Sequence, residues 1–192
     1  MRTLLACSLL LSAACHPGSP HSGTGTHGPR GEARSDLTQA GANTKADANT
    51  TATSVEEAAL AKVTAIHGAP GPWAVLGYRM GEAALAQLGL PRGSFDLLVV
   101  HHTPEKVQYS CIADGASAAT GASAGKLSLK LEPASETAVY TEYTHRKTGQ
   151  RVALRPTQAF RDRFANADRA RAHELGLKVL QLPEAELFEL AP

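Results

Sequence analysis

The chain has 192 residues, of which 19 are lysine or arginine and 18 are aspartate or glutamate, for a formal net charge of +1. This near-neutral balance argues against nucleic acid as a partner, because nucleic-acid binding calls for a strongly positive surface. A membrane-spanning helix needs about 20 consecutive apolar residues. No segment of the sequence provides such a stretch.

The first fifteen residues have the pattern of an export signal. Arg2 supplies a positive start, and a short apolar run over residues 4–14 follows it. The run ends in Leu11-Ser12-Ala13-Ala14-Cys15, which resembles the bacterial lipobox, where a signal peptidase cuts before a lipid-carrying cysteine. Residues 1–14 are therefore predicted to be a signal peptide and Cys15 to be lipidated. The other interpretation is an ordinary secretory signal in which Cys15 is incidental.

Residues 15–53 are predicted to form a lipidated, disordered linker. They are rich in small and polar residues, and Leu37 is the one large apolar side chain among them. Such a segment buries too little surface to offset the entropy lost on ordering. Lipid on Cys15 would hold the protein to a membrane of the cell envelope, on its periplasmic or outer surface. Residues 54–192 are long enough for one folded domain.

Two helices are predicted at the start of this domain. Ser54 is a suitable N-cap for a helix over residues 54–67. A second helix is predicted over residues 73–88, where apolar residues recur at helical spacing. Gly77 and Gly81 weaken helix propensity in its interior, so they predict close approach by another backbone.

The rest of the domain mixes strands and helices. Apolar runs and alternation of apolar with polar residues predict strands over residues 95–100, 107–111, 127–131, 138–146, 151–155 and 177–182. A short helix and a loop are predicted over residues 114–125, and further helices over residues 158–175 and 183–190. This order indicates an α+β fold with a mainly antiparallel sheet, on which the N-terminal helices and a C-terminal helix pack.

Two segments carry a specific pattern of glycine, histidine and cysteine. The first runs from His67-Gly68 to Gly77-Tyr78-Arg79-Met80-Gly81, and the second runs from Cys111-Ile112-Ala113-Asp114 to Gly125-Lys126. They resemble the formylmethanofuran dehydrogenase E-subunit family over about residues 55 to 190. In that family a His-Gly-His-x-Cys-Pro-Gly loop opens a helix that reads Gly-Tyr-Arg-Met-Gly. A later Cys-x-x-Asp begins a stretch that ends in Thr-Gly-Cys-Thr-x-Gly-Lys.

The resemblance implies a ligand cavity with polar side chains from both segments: His67, Tyr78, Cys111 and Asp114. In the family the histidine and cysteine positions line a cavity and can hold a metal, typically zinc. Here Ala69, Gly71 and Ala122 stand where the family has a histidine and two cysteines. His67 and Cys111 remain as two metal ligands, and Asp114 could make a third, whereas a structural zinc needs four protein ligands and a catalytic zinc about three.

The sequence leaves three functions open. The first is a non-catalytic binding or accessory module on the envelope, in which a small ligand or a protein partner occupies the cavity. The second is a metal- or thiol-dependent enzyme that uses His67, Cys111 and Asp114, with zinc as cofactor or with Cys111 as nucleophile and His67 as base. The third is a structural envelope protein that acts through its surface. A homo-oligomer is compatible with each of them.

Overall fold

The computed structural model describes residues 44–192, with side chains from Thr53 onward. The predicted signal peptide, Cys15 and residues 15–43 of the predicted linker lie outside these residues. Helix α1 spans Thr44–His67, so the helix start predicted at Ser54 is wrong. Ser54 therefore lies within α1 instead of capping its start. Among the described residues, no helix is both long and apolar enough to cross a membrane.

Helix α2 spans Pro72–Leu88 and confirms the predicted second helix. Proline suits its first position because no backbone donor is needed there, and Gly89 ends it in the left-handed conformation with a φ of 63°. A Cβ atom at Gly77 would overlap the carbonyl oxygen of Ile112 and lie 2.8 Å from its carbonyl carbon. The predicted close approach of another backbone at Gly77 is therefore confirmed.

The approaching backbone belongs to helix α3, Val107–Thr120. The strand predicted over residues 107–111 is wrong, because Cys111 lies on this helix. Alternation over five residues cannot distinguish a strand from a short piece of buried helix. The small side chains that follow Cys111 let α3 pack closely against α2, and almost all of them are buried.

Five strands form one sheet: β1 Leu97–Thr103, β2 Leu129–Pro133, β3 Tyr140–His145, β4 Arg151–Pro156 and β5 Phe188–Leu190. Their order is β2-β1-β3-β4-β5. Strand β1 pairs in parallel with β2, and the other three pairings are antiparallel. The predicted α+β fold with a mainly antiparallel sheet is confirmed. Alternate residues of β1 are buried, and α2 and α3 contact the sheet.

The C-terminal part contains three helices: α4 Gln158–Phe164, α5 Ala172–Gln181 and α6 Glu184–Leu187. The single helix predicted over 158–175 and the strand predicted over 177–182 are both wrong. The Asp168 carboxylate accepts a hydrogen bond from the Ala170 amide at 2.9 Å and caps a 3₁₀ turn, Arg169–Arg171. This turn separates α4 from α5, and the short apolar run after it is helical.

Arg79, from the Gly-Tyr-Arg-Met-Gly sequence of α2, stabilises the end of α5. Its guanidinium donates to the carbonyl oxygens of Leu180 at 2.6 Å and Leu182 at 3.2 Å. The last carbonyl groups of a helix have no partner within the helix, and a cation there also complements the helix dipole. Arg79 thus stabilises the fold of the domain.

The neighbouring histidines of β1 point to opposite faces of the sheet, as their adjacency predicts. His101 is completely buried. Its Nε2 donates to the Tyr109 carbonyl oxygen at 3.1 Å, and its Nδ1 accepts from the Thr141 hydroxyl at 2.8 Å. Burial lowers the pKa of His101 to about 4, so the ring is neutral at neutral pH and links β1, β3 and α3. His102 stacks on the Tyr140 ring at 4.1 Å.

Candidate ligand-binding site

A cleft of about 790 Å³ opens where α2 and α3 begin. Its lining includes His67, Trp73, Cys111, Phe164 and Arg169, and we call it the Trp73 cleft. The N-cap positions of α2 and α3 have no side-chain hydrogen bond to the helix. The volume lies within the range of small-molecule sites, which are typically about 300–1,000 Å³.

Trp73 forms a fixed apolar wall of this cleft. Its side chain is 4% exposed, and its indole N–H donates to the Phe164 carbonyl oxygen at 3.0 Å. The rings of Tyr109 and Phe160 meet the indole edge to face, each with centroids 5.1 Å apart. These contacts hold the wall in one orientation, because edge-to-face pairs stabilise a specific geometry.

His67 is the last residue of α1 and lines the cleft. Its Nδ1 lies 2.8 Å from the Oδ2 of Asp114, which α3 supplies. A carboxylate on one ring nitrogen orients the imidazole and directs the other nitrogen. The structure therefore brings together two of the residues that the sequence indicated, although they lie far apart in the chain.

Cys111 lines the cleft but is 8% exposed. Its thiol donates to the Gln108 carbonyl oxygen at 3.2 Å. Burial raises the pKa of the thiol to about 12, and the nearby Asp114 charge acts in the same direction. Since the thiolate is the nucleophile and the metal ligand, Cys111 at neutral pH is in its unreactive form.

Tyr78, the fourth residue of the predicted cavity, lies elsewhere. It is 3% exposed, and its hydroxyl oxygen is 3.4 Å from the Lys62 Nζ. Burial raises the pKa of Tyr78 above its usual range. Ala122 follows the C-terminal end of α3, and it does not line the cleft either. The two segments thus share the cleft through His67 and Cys111, while Tyr78 and Ala122 lie outside its lining.

The residues present do not fit a zinc ion. Residues 53–192 contain no group of three or more His, Cys, Asp or Glu side chains placed to hold a metal. His67 and Cys111 line the cleft, and the Asp114 carboxylate bonds the His67 Nδ1. A zinc site of either kind needs at least three protein ligands.

Three lining residues were missed as site residues by the sequence: Trp73, Phe164 and Arg169. The sequence placed Trp73 on the apolar pattern of the second predicted helix, and Phe164 and Arg169 within the helix predicted over residues 158–175. The sequence did contain one indication that Trp73 belongs to the site. Trp73 directly follows the loop that begins at His67, and that loop carries the family pattern. The sequence contains no such indication for Arg169. Arg169 reaches the cleft because the helix predicted over residues 158–175 is broken between α4 and α5.

Comparison with known proteins confirms the resemblance seen in the sequence. A family model described as "FmdE, Molybdenum formylmethanofuran dehydrogenase operon" matches residues 66–189. No curated protein matches the chain. The matched span exceeds half of the 192 residues and reaches from the end of α1 into β5. The chain therefore belongs to the FmdE family.

Proposed function

We propose that this protein is a lipid-anchored, non-catalytic binding module of the cell envelope, and that its FmdE domain takes a small molecule into the Trp73 cleft. The observation that carries the proposal is the state of Cys111 in a cleft of ligand size. Cys111 is 8% exposed, its thiol donates to the Gln108 carbonyl oxygen, and burial raises its pKa. These properties favour a structural role for Cys111 over a nucleophilic one.

The lining indicates which ligand chemistry suits the cleft. Trp73 and Phe164 supply an apolar wall, and Arg169 adds a guanidinium that makes no hydrogen bond or ion pair within the described part of the chain. Arg171, two residues on, is instead held by Glu174 at 2.7 Å. We therefore propose a ligand with an apolar body and an anionic group, because arginine pairs with carboxylates and phosphates through charged hydrogen bonds.

Fluorescence of Trp73 tests this proposal directly, because the chain has a single tryptophan. Benzoate is expected to change the emission saturably, and benzyl alcohol, its uncharged counterpart, is expected to bind more weakly. Arg169→Gln should weaken benzoate binding roughly tenfold through the lost charged hydrogen bond. Arg171→Gln is the matched control and should bind like the wild type. The absence of a saturable change with either compound, or equal affinity of the two variants, would contradict the proposed ligand class.

The lipid anchor rests on the sequence before Cys15 and is tested separately. Labelling of growing cells with radioactive palmitate is expected to mark the wild-type protein and to fail for Cys15→Ser. Cys7→Ser is the matched control, because Cys7 lies within the predicted signal peptide, and this variant should keep the label. Label that persists in Cys15→Ser would overturn the lipoprotein assignment.

One observation favours a second candidate function, a metal- or thiol-dependent enzyme. The Asp114 carboxylate orients the His67 imidazole, and a carboxylate–histidine pair is the arrangement of a positioned general base. This enzyme would need Cys111 as thiolate or as metal ligand, which makes the reactivity of Cys111 the measurement that separates the two functions.

A further inference from the structure

Two large apolar side chains are exposed together at the end of the domain where α2 and α3 finish. Phe95 and Leu127 are each 74% exposed. They flank Lys126, whose Nζ lies 4.7 Å from the centroid of the Phe95 ring and which precedes Leu127 in the chain. We call Phe95, Leu127 and the basic residues around them the apolar tip.

The backbone at this tip is strained where the apolar side chain projects. Leu127 has a φ of 51°, and among the described residues it is the one non-glycine residue with a positive φ. A leucine in the left-handed region is disfavoured by its Cβ atom, and a glycine would relieve the strain. Leu127 is therefore both exposed and strained, and its side chain contributes little to the fold.

Basic residues surround the two apolar side chains. Arg146 donates to the Leu127 carbonyl oxygen at 2.6 Å. Lys126 donates to the carbonyl oxygens of Gly93 and Gly121, and Arg92 approaches Gly121 from the same loop. Lys147 pairs with Asp96 at 2.8 Å.

The charge of the apolar tip is therefore positive: its basic residues are Arg92, Lys126, Arg146 and Lys147, and its acidic residue is Asp96. This combination fits an anionic surface with an apolar interior.

We propose that the apolar tip contacts an anionic lipid bilayer, with Phe95 and Leu127 entering the interface and the basic residues facing the headgroups. Each basic side chain near such a surface strengthens binding about fivefold, and buried apolar side chains add to it. The resulting affinity is modest, but a chain tethered by lipid at Cys15 would meet the bilayer at high local concentration. The contact thus goes beyond the proposed anchor and is testable without it.

The position of the tip also sets the orientation of the Trp73 cleft. The cleft lies where α2 and α3 begin, and the apolar tip lies where both helices end. Helices of this length separate the two by roughly 20 Å. A domain seated on the bilayer through the tip would present the cleft away from the membrane.

Vesicle co-sedimentation of the processed chain, residues 15–192 with Cys15→Ser, measures the contact in the absence of lipidation. We expect binding to vesicles that mix phosphatidylcholine with phosphatidylglycerol, and roughly a hundredfold weaker binding to phosphatidylcholine alone, since the tip carries three net positive charges. The double variant Phe95→Ser/Leu127→Gly should bind the mixed vesicles roughly tenfold more weakly. Leu190→Ser is the matched control, because Leu190 is 70% exposed on β5, at the opposite edge of the sheet, and it should bind like the wild type.

Thermal unfolding shows whether a variant that fails to bind vesicles is still folded. Leu127→Gly alone should have a melting temperature equal to or above that of the wild type, because glycine relieves the backbone strain. Failure of the wild type to bind the mixed vesicles, or equal binding by the double variant, would overturn the proposal. Binding of the tip to a protein without any binding to vesicles would overturn it as well. Palmitate labelling at Cys15 is independent of all these outcomes, so the lipid anchor stands or fails separately.

Discussion

Cys111 is expected to react with iodoacetamide near neutral pH at least about thirtyfold more slowly than a free thiol. The reason is the rise in the thiol pKa to about 12, caused first by burial and then by the charge of Asp114. The thiolate carries the reaction, and its higher nucleophilicity at a raised pKa offsets about half of the loss on a logarithmic scale. The Cys111 thiol also donates a hydrogen bond to the Gln108 carbonyl oxygen of the same helix, α3.

Mass spectrometry of the Cys111 peptide measures this rate in the folded full chain. Repeating the reaction in concentrated urea provides the control, since unfolding exposes the thiol and should restore the rate of free cysteine. Rapid alkylation of the folded protein would contradict the proposed binding function and support a nucleophilic thiol. Stoichiometric zinc in the purified protein that disappears in Cys111→Ala would support the metal-dependent alternative.

Gly115→Ala is expected to lower the free energy of unfolding by roughly 3 kcal/mol or more, as overpacking of a rigid interface does. A Cβ atom at Gly115 would overlap the carbonyl oxygen of Ala74 and lie 2.7 Å from the Tyr78 amide nitrogen. Both atoms belong to the backbone of α2, so no side-chain rotation can relieve the overlap. In a helix without close neighbours the same substitution would raise the free energy of unfolding by about 1 kcal/mol. A decrease in the free energy of unfolding therefore indicates the α2–α3 backbone contact.

Urea denaturation followed by circular dichroism measures this effect. Gly125→Ala is the matched control, because a Cβ atom there would meet nothing within 4 Å, and its stability should stay within about 0.5 kcal/mol of the wild type. A Gly115→Ala protein as stable as Gly125→Ala would show that the two helices are not in backbone contact.

The residues shared with the FmdE pattern mostly support the fold. Gly77 admits the backbone of α3, Arg79 stabilises the end of α5, and Lys126 joins the loops after α2 and α3. Such roles follow from local spacing and backbone chemistry, so a single sequence can indicate them. The close approach at Gly77 was predicted for this reason, and the family match over residues 66–189 confirms the resemblance.

The candidate site was less accessible to prediction. His67 and Cys111 were named from the sequence, but the bond between His67 and Asp114 spans 47 residues of chain, and no local pattern encodes such a contact. Tyr78 was assigned to the cavity because it belongs to the same segment as the cavity residues. On a helix, neighbours in sequence point in different directions, and Tyr78 points away from the cleft's lining.

The sequence by itself determined the fold class, helix α2 and the strands β3 and β4, because helical spacing and strand alternation act over a few positions. It also indicated the family, through the resemblance of its glycine, histidine and cysteine motifs. Tertiary structure decided that residues 107–111 are helical, that α4 and α5 are separate and that Arg169 reaches the Trp73 cleft. Each of these depends on packing between distant segments, where burial outweighs the weak local preference of a short apolar run.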